Sequence, residues 1–438
     1  MMNLEKNIER IRANFPHLEF LIHLGACGTA PLCLKWYNAM QKYWEFEYAH
    51  SELSDVAIAS LTRQSIEAKK EAAKLINAEP REISWINRVL QGLNIVRDVI
   101  DYNYPWKNDD NVVFTDQGYP SSGHTWLQLR KKGVEIHRVK NVDGKILLHG
   151  GPSTKAELAP SCWEYGDMDQ AIDEKTKLVC INRTTWHCGF TYDIEAVCKL
   201  AHEKRALVVD DAYQTLGARV MDVHKDEVDF MVSGSHKWQC GPLLAGILYV
   251  RKDLCEKLEP SYWNYLNVDT GPWTLEQKKH PFVLGVPFGK QDHDNIKSYD
   301  VPFYRTAAKF DQGIGSTDAL WGWLATLKWL NELGKEDIEK RVVRLGGYLI
   351  EGLLNIGCKI NTPLDPKQRH GLINYTTGSY GNDFKCYEAI GTRVPKPIIG
   401  PTIRYQGGIG GIRVSTHFYN TEEDIDNFID FQKDLMPK

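Results

Sequence analysis

The sequence predicts an α/β protein: a mostly parallel sheet in a large domain, joined to a small α+β domain at the C-terminus. Two observations carry this. Short apolar runs alternate with helical stretches through the middle of the chain, the rhythm of βαβ crossovers whose sheet is covered on both faces. After about residue 318 that rhythm gives way to two long helical segments and short extended pieces.

Taken in order, residues 57–78 are rich in Ala, Leu, Ile, Glu and Lys. Leu61, Ile66, Ala72, Leu75 and Ile76 fall roughly at helical spacing, which predicts an amphipathic helix. Residues 112–114, 178–181, 207–209, 228–232 and 247–250 read as buried strands. A helix over 193–204, starting at an acidic residue, connects the second and third of these. Residues 319–334 and 335–357 read as two helices parted near Gly334, followed by short β-like pieces and a last helix from about Glu422. The stretch 262–304 carries Gly, Pro, Asp and His with little periodicity and reads as a long irregular segment. The expected division is residues 21–318 for the large domain, and 1–20 with 319–438 for the small one.

Composition narrows the function. The chain has 438 residues, 42% of them hydrophobic and 25% charged, with a formal charge of −4. These are values of a soluble globular protein, with no basic excess to attract nucleic acid. The longest apolar run, 241–250, is too short for a bilayer, which takes about 20 residues. Residues 1–15 carry five charges from Glu5 to Arg12 and no apolar leader, so no signal peptide is expected. Ten cysteines lie scattered with no CxxC pair, which reads as reduced thiols in a cytoplasmic protein.

Ligands of open parallel sheets sit beyond the carboxyl ends of the strands. Residues 207–209 are followed by Asp210, Asp211 and Gln214. Residues 228–232 are followed by Ser233, Gly234, Ser235, His236 and Lys237, and residues 112–114 by Thr115, Asp116 and Tyr119. Polar groups thus converge on one sheet edge. The Gly-rich run 407–411 lacks a preceding strand and a following helix in the right order, so a dinucleotide fingerprint is discarded.

The runs VVDDAYQTLG, VDFMVSGSHKW and GPLLAGILYV resemble the cofactor fingerprint of class V aminotransferases. These are fold-type I pyridoxal-phosphate enzymes that include cysteine desulfurases, isopenicillin N epimerase-like proteins and C–S lyases. The resemblance runs from about His23 to Asn427, leaves 262–304 unmatched, and is nearest to the epimerase-like and C–S lyase branch. HLGACGTAP, from His23 to Pro31, resembles that branch's Gly-rich opening, whose glycines would bring backbone close to the cofactor.

The resemblance implies pyridoxal 5'-phosphate as cofactor, no metal, and a role for each matching position. Lys237 is the amine that meets the aldehyde. Asp211 faces the pyridine nitrogen, Gln214 the phenolic oxygen, and Tyr119 stacks on the ring. His236 contacts the phosphate, helped by the main-chain N–H groups of Val89 and Leu90 at a helix start. Ser316, in FDQGIGSTD, would reach the phosphate of a partner subunit, which implies a homodimer with its site at the interface. Arg413, in GIRVSTHFYNTEEDID, would grip the α-carboxylate of a small amino-acid substrate with its planar fork. Arg404 could read a second anionic or polar end. Arg88, Arg183 and His124 are further candidates.

Three positions depart from the pattern. The hydroxyl usual in the phosphate turn is replaced by Val89 or Leu90. Gly234 stands where Ser or Asn is common, leaving Ser233 or Ser235 to supply a hydroxyl. Trp186 stands where relatives have Asn.

The family reactions share removal of the Cα proton and differ in the fate of the carbanion. Desulfurases with the nearest signature carry a nucleophilic Cys about 15 residues before the carboxylate-binding Arg. Residues 392–412 contain none, and Cys386 stands in another context. The expectation is therefore a C–S lyase acting by β-elimination without a persulfide cysteine. The alternatives are an epimerase or racemase, an aminotransferase, a decarboxylative C–C bond-forming enzyme, and a noncatalytic binding protein that keeps the fold.

Overall fold

The structure, a computed structural model, describes residues 4–51, 54–262, 264, 267, 303–313, 315–390 and 396–436. The irregular segment expected over 262–304 thus lies almost wholly outside the described residues. The strands in chain order are β1 (Ile22–His23), β2 (Ile83–Ile86), β3 (Asn111–Thr115), β4 (Glu135–Val139), β5 (Lys155–Ala159), β6 (Cys162–Tyr165), β7 (Thr176–Ile181), β8 (Leu207–Asp211), β9 (Phe230–Gly234), β10 (Gly246–Val250), β11 (Lys359–Ile360), β12 (Leu372–Thr376), β13 (Ile398–Ile399), β14 (Thr402–Gln406) and β15 (Ile409–Ser415).

Nine of these form one sheet in the order β2-β10-β9-β8-β7-β3-β4-β6-β5. From β9 to β6 all neighbours are parallel. The strand over 246–250, expected within the parallel set, is antiparallel to both neighbours. It returns directly from β9 through the short loop after Lys237, which leaves no length for a crossover helix.

Successive residues of the central strands feed opposite faces, as the pleat requires. Val113, Val179, Val208 and Ile247 join a core that includes Ala72, Ile76, Trp323 and Leu327. Val112, Leu178, Val209 and Leu248 join a second core with Leu93, Val96 and Ile100 of the helix Val89–Asn103. Both faces are covered, so these strands read as continuous apolar runs.

Five helices match the sequence to within two residues, Asp55–Ile76, Ile194–Glu203, Thr317–Leu333, Lys335–Asn355 and Glu422–Asp434, whereas the helix Leu34–His50 was not expected. Asp193, the expected acidic start, caps its helix by accepting the Ala196 N–H at 3.1 Å, a contact worth about 1 kcal/mol. The helix Thr317–Leu333 packs its Trp323, Leu324 and Leu327 into the first large core. Near the C-terminus, β11-β12-β15-β14 form an antiparallel sheet. Ile373, Tyr375, Ile412 and Val414 of that sheet pack on Leu345, Leu349, Ile425 and Phe428.

The chain's start is pinned to this small sheet region, because β1 pairs in parallel with β13. There Gly25 answers a different need from the one expected: a Cβ on it would lie 2.5 Å from Gly400 Cα. Its missing side chain lets two backbones cross, whereas Gly28 faces the large cavity at the strand ends.

Candidate active site

The carboxyl ends of β3, β7, β8 and β9 open on a cavity of about 960 Å³. The small sheet closes it from the side with Arg404 of β14 and Arg413 of β15. The cavity brings together most of the expected residues: Lys237, Asp211, Gln214, His236, Tyr119, Val89, Leu90, Arg404 and Arg413. Ser233, Ser235 and Ser316 do not line it.

Lys237 lies three residues beyond the end of β9. Burial pulls its ammonium from the ordinary value of 10.5 down to about 8, against the opposing attraction of Asp211. Its Nζ lies 4.0 Å from the Tyr213 ring centre and 5.9 Å from that of Tyr119. A lysine so placed is a usable nucleophile near neutral pH, since only the free amine attacks a carbonyl. The sign is direct: lowering the pKa enlarges the free-amine fraction at a given pH. The rate at which apoenzyme takes up pyridoxal phosphate should climb with pH and level off above about 8. Stopped-flow absorbance across pH checks this, and a rate still climbing at pH ~10 would place the lysine in water instead.

Asp211 ends β8 on the cavity side. Its Oδ2 accepts from Ser122 Oγ at 2.9 Å and Asn182 Nδ2 at 2.7 Å, and its Oδ1 from the Tyr213 N–H at 3.2 Å. Burial nevertheless raises its pKa. A buried, oriented carboxylate with no ion pair among the described residues matches a protonated ring nitrogen, which would stabilise its charge.

Asp210 points to the other face. It accepts from Arg183 Nε at 2.6 Å, while Arg183 Nη1 reaches Asp226 at 2.6 Å. Arg183 is thereby committed to a buried ion cluster outside the cavity. His124 is also outside it, and Arg88 lies at the rim without capping its helix by a side-chain bond.

Gln214 lines the cavity with both ends of its amide engaged. Nε2 donates to the Cys27 carbonyl at 2.9 Å, and Oε1 accepts from Trp238 Nε1 at 2.8 Å. The second amide hydrogen is what it has to offer a ligand. His236 is held neutral, its pKa lowered to about 4 chiefly by burial, and its ring lies 2.8 Å from the Tyr213 hydroxyl.

The serines flanking Gly234 are occupied elsewhere. Ser233 Oγ accepts from Gln239 Nε2 at 3.3 Å, and Ser235 Oγ donates to the Pro242 carbonyl. Ser316 bonds the Asp318 carboxylate at the start of its helix.

Trp186 lies beside both arginines, whose guanidinium carbons are 5.7 Å (Arg404) and 5.6 Å (Arg413) from its ring centre. Arg413 donates from Nη1 to the Trp186 carbonyl at 2.8 Å, and its buried Nε has no hydrogen-bond partner among the described residues. A buried guanidinium with an unused donor is costly unless an anion completes it. The Trp186 indole donates to Gln406 Oε1 at 2.7 Å, and Gln406 Nε2 donates to the carbonyls of Asp116 and Gly118. Tyr119, in the turn those carbonyls belong to, meets Trp186 edge-on at 5.4 Å.

Sequence reasoning missed Asn182, Ser122 and Tyr213. Asn182 was within reach of the strand-end rule, since it follows β7 immediately.

The sequence profile of the family Aminotransferase class-V matches residues 22–268 and 271–428. The chain belongs to the class-V aminotransferase family. Over 95% of each chain it is 25% identical to a probable cysteine desulfurase of Methanothermobacter thermautotrophicus. Over 96% of each it is 24% identical to an uncharacterised aminotransferase of Bacillus subtilis. In fold it is similar to an apo cysteine desulfurase from Thermococcus onnurineus, with a TM-score of 0.77, 20% identity and 98% of both chains covered. The cystine C–S lyase C-DES, in complex with its product cysteine persulfide, superposes with a TM-score of 0.76 at 18% identity, covering 97% of this chain and 100% of that one.

This class-V protein is a pyridoxal-phosphate-dependent enzyme with a fold-type I architecture. The donor set of the cavity fits the cofactor: an amine of lowered pKa, a buried carboxylate, a flat aromatic, and a helix start whose first amides have no acceptor within the helix. Among the described residues no cluster could hold a metal ion, and no helix is long and apolar enough to cross a membrane.

Proposed function

We propose that the enzyme cleaves a C–S bond at Cβ of an L-amino acid by β-elimination, without a persulfide on the protein. The observation that carries this reading is the lack of any cysteine in residues 392–412, beside a complete set of groups for Cα deprotonation. Cys386 is buried, bonded to Gln432 and away from the cavity. Cys27 does line the cavity, but the residue is only 1% exposed.

Bound pyridoxal phosphate supplies an aldehyde for the amino group and a ring that takes up the electron pair left at Cα. The protein's residues do the rest. Arg413 binds the α-carboxylate and fixes which Cα bond faces Lys237. Lys237 Nζ removes the Cα proton. Asp211 would hold a proton on the ring nitrogen, and Tyr119 would offer the ring an aromatic face. The bond to sulfur then breaks, sulfur keeps the electron pair, and hydrolysis of the remaining carbon skeleton gives pyruvate and ammonia.

Arg404 lines the cavity with Arg413, both beside the Trp186 ring. That placement suits substrates whose sulfur substituent ends in a second carboxylate, cystine among them, and C-DES is itself described as a cystine lyase. The mouth of the cavity exposes Leu90 (45%), Leu243 (62%) and Leu244 (41%). Such a rim favours coverage by a second copy of the chain, hence a homodimer. Ten free, buried cysteines suit a reducing compartment, the cytoplasm.

The test is a panel of cysteine, cystine, cysteine S-conjugates and their sulfoxides, followed for pyruvate, ammonia, alanine and exchange of the α-proton. Pyruvate and ammonia are expected, undiminished in Cys27→Ser. Alanine with persulfide sulfur would make the enzyme a desulfurase, and proton exchange without release would make it an epimerase.

A further inference from the structure

Gly234 sits in the strand end that leads to Lys237, where the family pattern has a side-chain donor. The flanking serines do not replace it, because both hydroxyls are bonded to protein groups behind the strand. What fills the space is another aromatic ring. A Cβ built on Gly234 would lie 2.8 Å from Tyr213 Cε2, 2.9 Å from Cζ and 3.0 Å from the phenol oxygen. The hydroxyl of Tyr213 therefore stands almost where the first side-chain atoms of a residue at 234 would be. It lies 2.8 Å from the His236 ring. Val89 and Leu90, at the start of the helix Val89–Asn103, line the same cavity.

We propose that the Tyr213 phenol is a ligand of the cofactor's phosphate and supplies the donor that Gly234 lacks. Gly234 is then a requirement of the site, since any side chain there would collide with the ring. Burial raises the phenol's pKa far above neutrality, so Tyr213 keeps the proton it has to donate. His236 is neutral and can give its one ring N–H to the phenol oxygen, leaving the phenol proton for the phosphate. The ring of Tyr213 also packs against Lys237 Nζ, so one side chain would hold the lysine on its face and the phosphate at its tip.

The inference rests on the cofactor's being anchored by Lys237, and the test separates the two. Apoenzyme of the wild type and of Tyr213→Phe is titrated with pyridoxal phosphate and, separately, with pyridoxal, which lacks the phosphate. Tyr213→Phe keeps the ring over Lys237 and removes only the hydroxyl. Its dissociation constant for pyridoxal phosphate should rise about 10- to 100-fold, the weight of a hydrogen bond to a charged group, while that for pyridoxal stays unchanged. At saturating cofactor the absorbance of the lysine-linked form should still appear. Adding Gly234→Ser to Tyr213→Ala should restore part of the affinity that Tyr213→Ala loses. Unchanged affinity for pyridoxal phosphate in Tyr213→Phe would overturn the proposal. So would equal losses for both cofactors, which would mean that the phenol acts on the lysine or the ring.

Discussion

Replacing Lys237 by alanine should abolish turnover, a loss of about 10³-fold or more, and with it the yellow absorbance at about 420 nm that marks a cofactor joined to the lysine. Two proposed roles would fall together in this variant: the amine that holds the aldehyde and the base that takes the Cα proton. Among the described residues, Lys237 is the one lysine that lines the cavity. The fold should survive. The ammonium is held below its ordinary pKa by burial, so its removal relieves an unfavourable burial. Absorbance spectra and pyruvate release on the same preparation check the result. A persisting band or residual turnover above a few percent would move the chemistry to another residue.

Arg413→Ala should raise KM for α-amino acids by about 100-fold while the cofactor stays bound with an unaltered spectrum. Arg413 is 4% exposed, bonded through Nη1 to the Trp186 carbonyl and without an Nε partner among the described residues. A charge held this way in a buried wall attracts a carboxylate far more strongly than one in water would. Arg413→Lys should recover little, because a point charge on a flexible stem cannot supply two parallel donors. Steady-state kinetics with spectra at each substrate concentration separate binding from cofactor loss. An unchanged KM would remove Arg413 from the carboxylate role.

How much a sequence discloses depends on the distance over which each feature is decided. The central strands are continuous apolar runs because both faces are buried, and that is visible locally. The strand-end rule found Lys237, Asp211 and Tyr119, since each lies within a few residues of its strand. The environment of Asp211 was not visible in that way: Ser122 and Asn182 meet it from 89 and 29 residues away. The serines illustrate a second cause. Ending the strand at Val232 left Ser233 and Ser235 free to turn either way. The observed β9 runs to Gly234, and alternation then puts 233 and 235 on the side opposite to 234. The edge strand β5 escaped notice because four of its five residues are exposed, so it carries no apolar signature.

Gln406 ties a strand of the small sheet to the Asp116–Gly118 turn and, through Trp186, to the wall beside Arg413. The part of the cavity proposed to meet the cofactor ring and the part proposed to meet the carboxylate are in this way bolted to one frame. A bulkier substrate cannot gain room by prying them apart without breaking all three bonds. The give must come from the leucine-lined rim, so tolerance for size and fidelity of alignment are assigned to opposite ends of the same chamber.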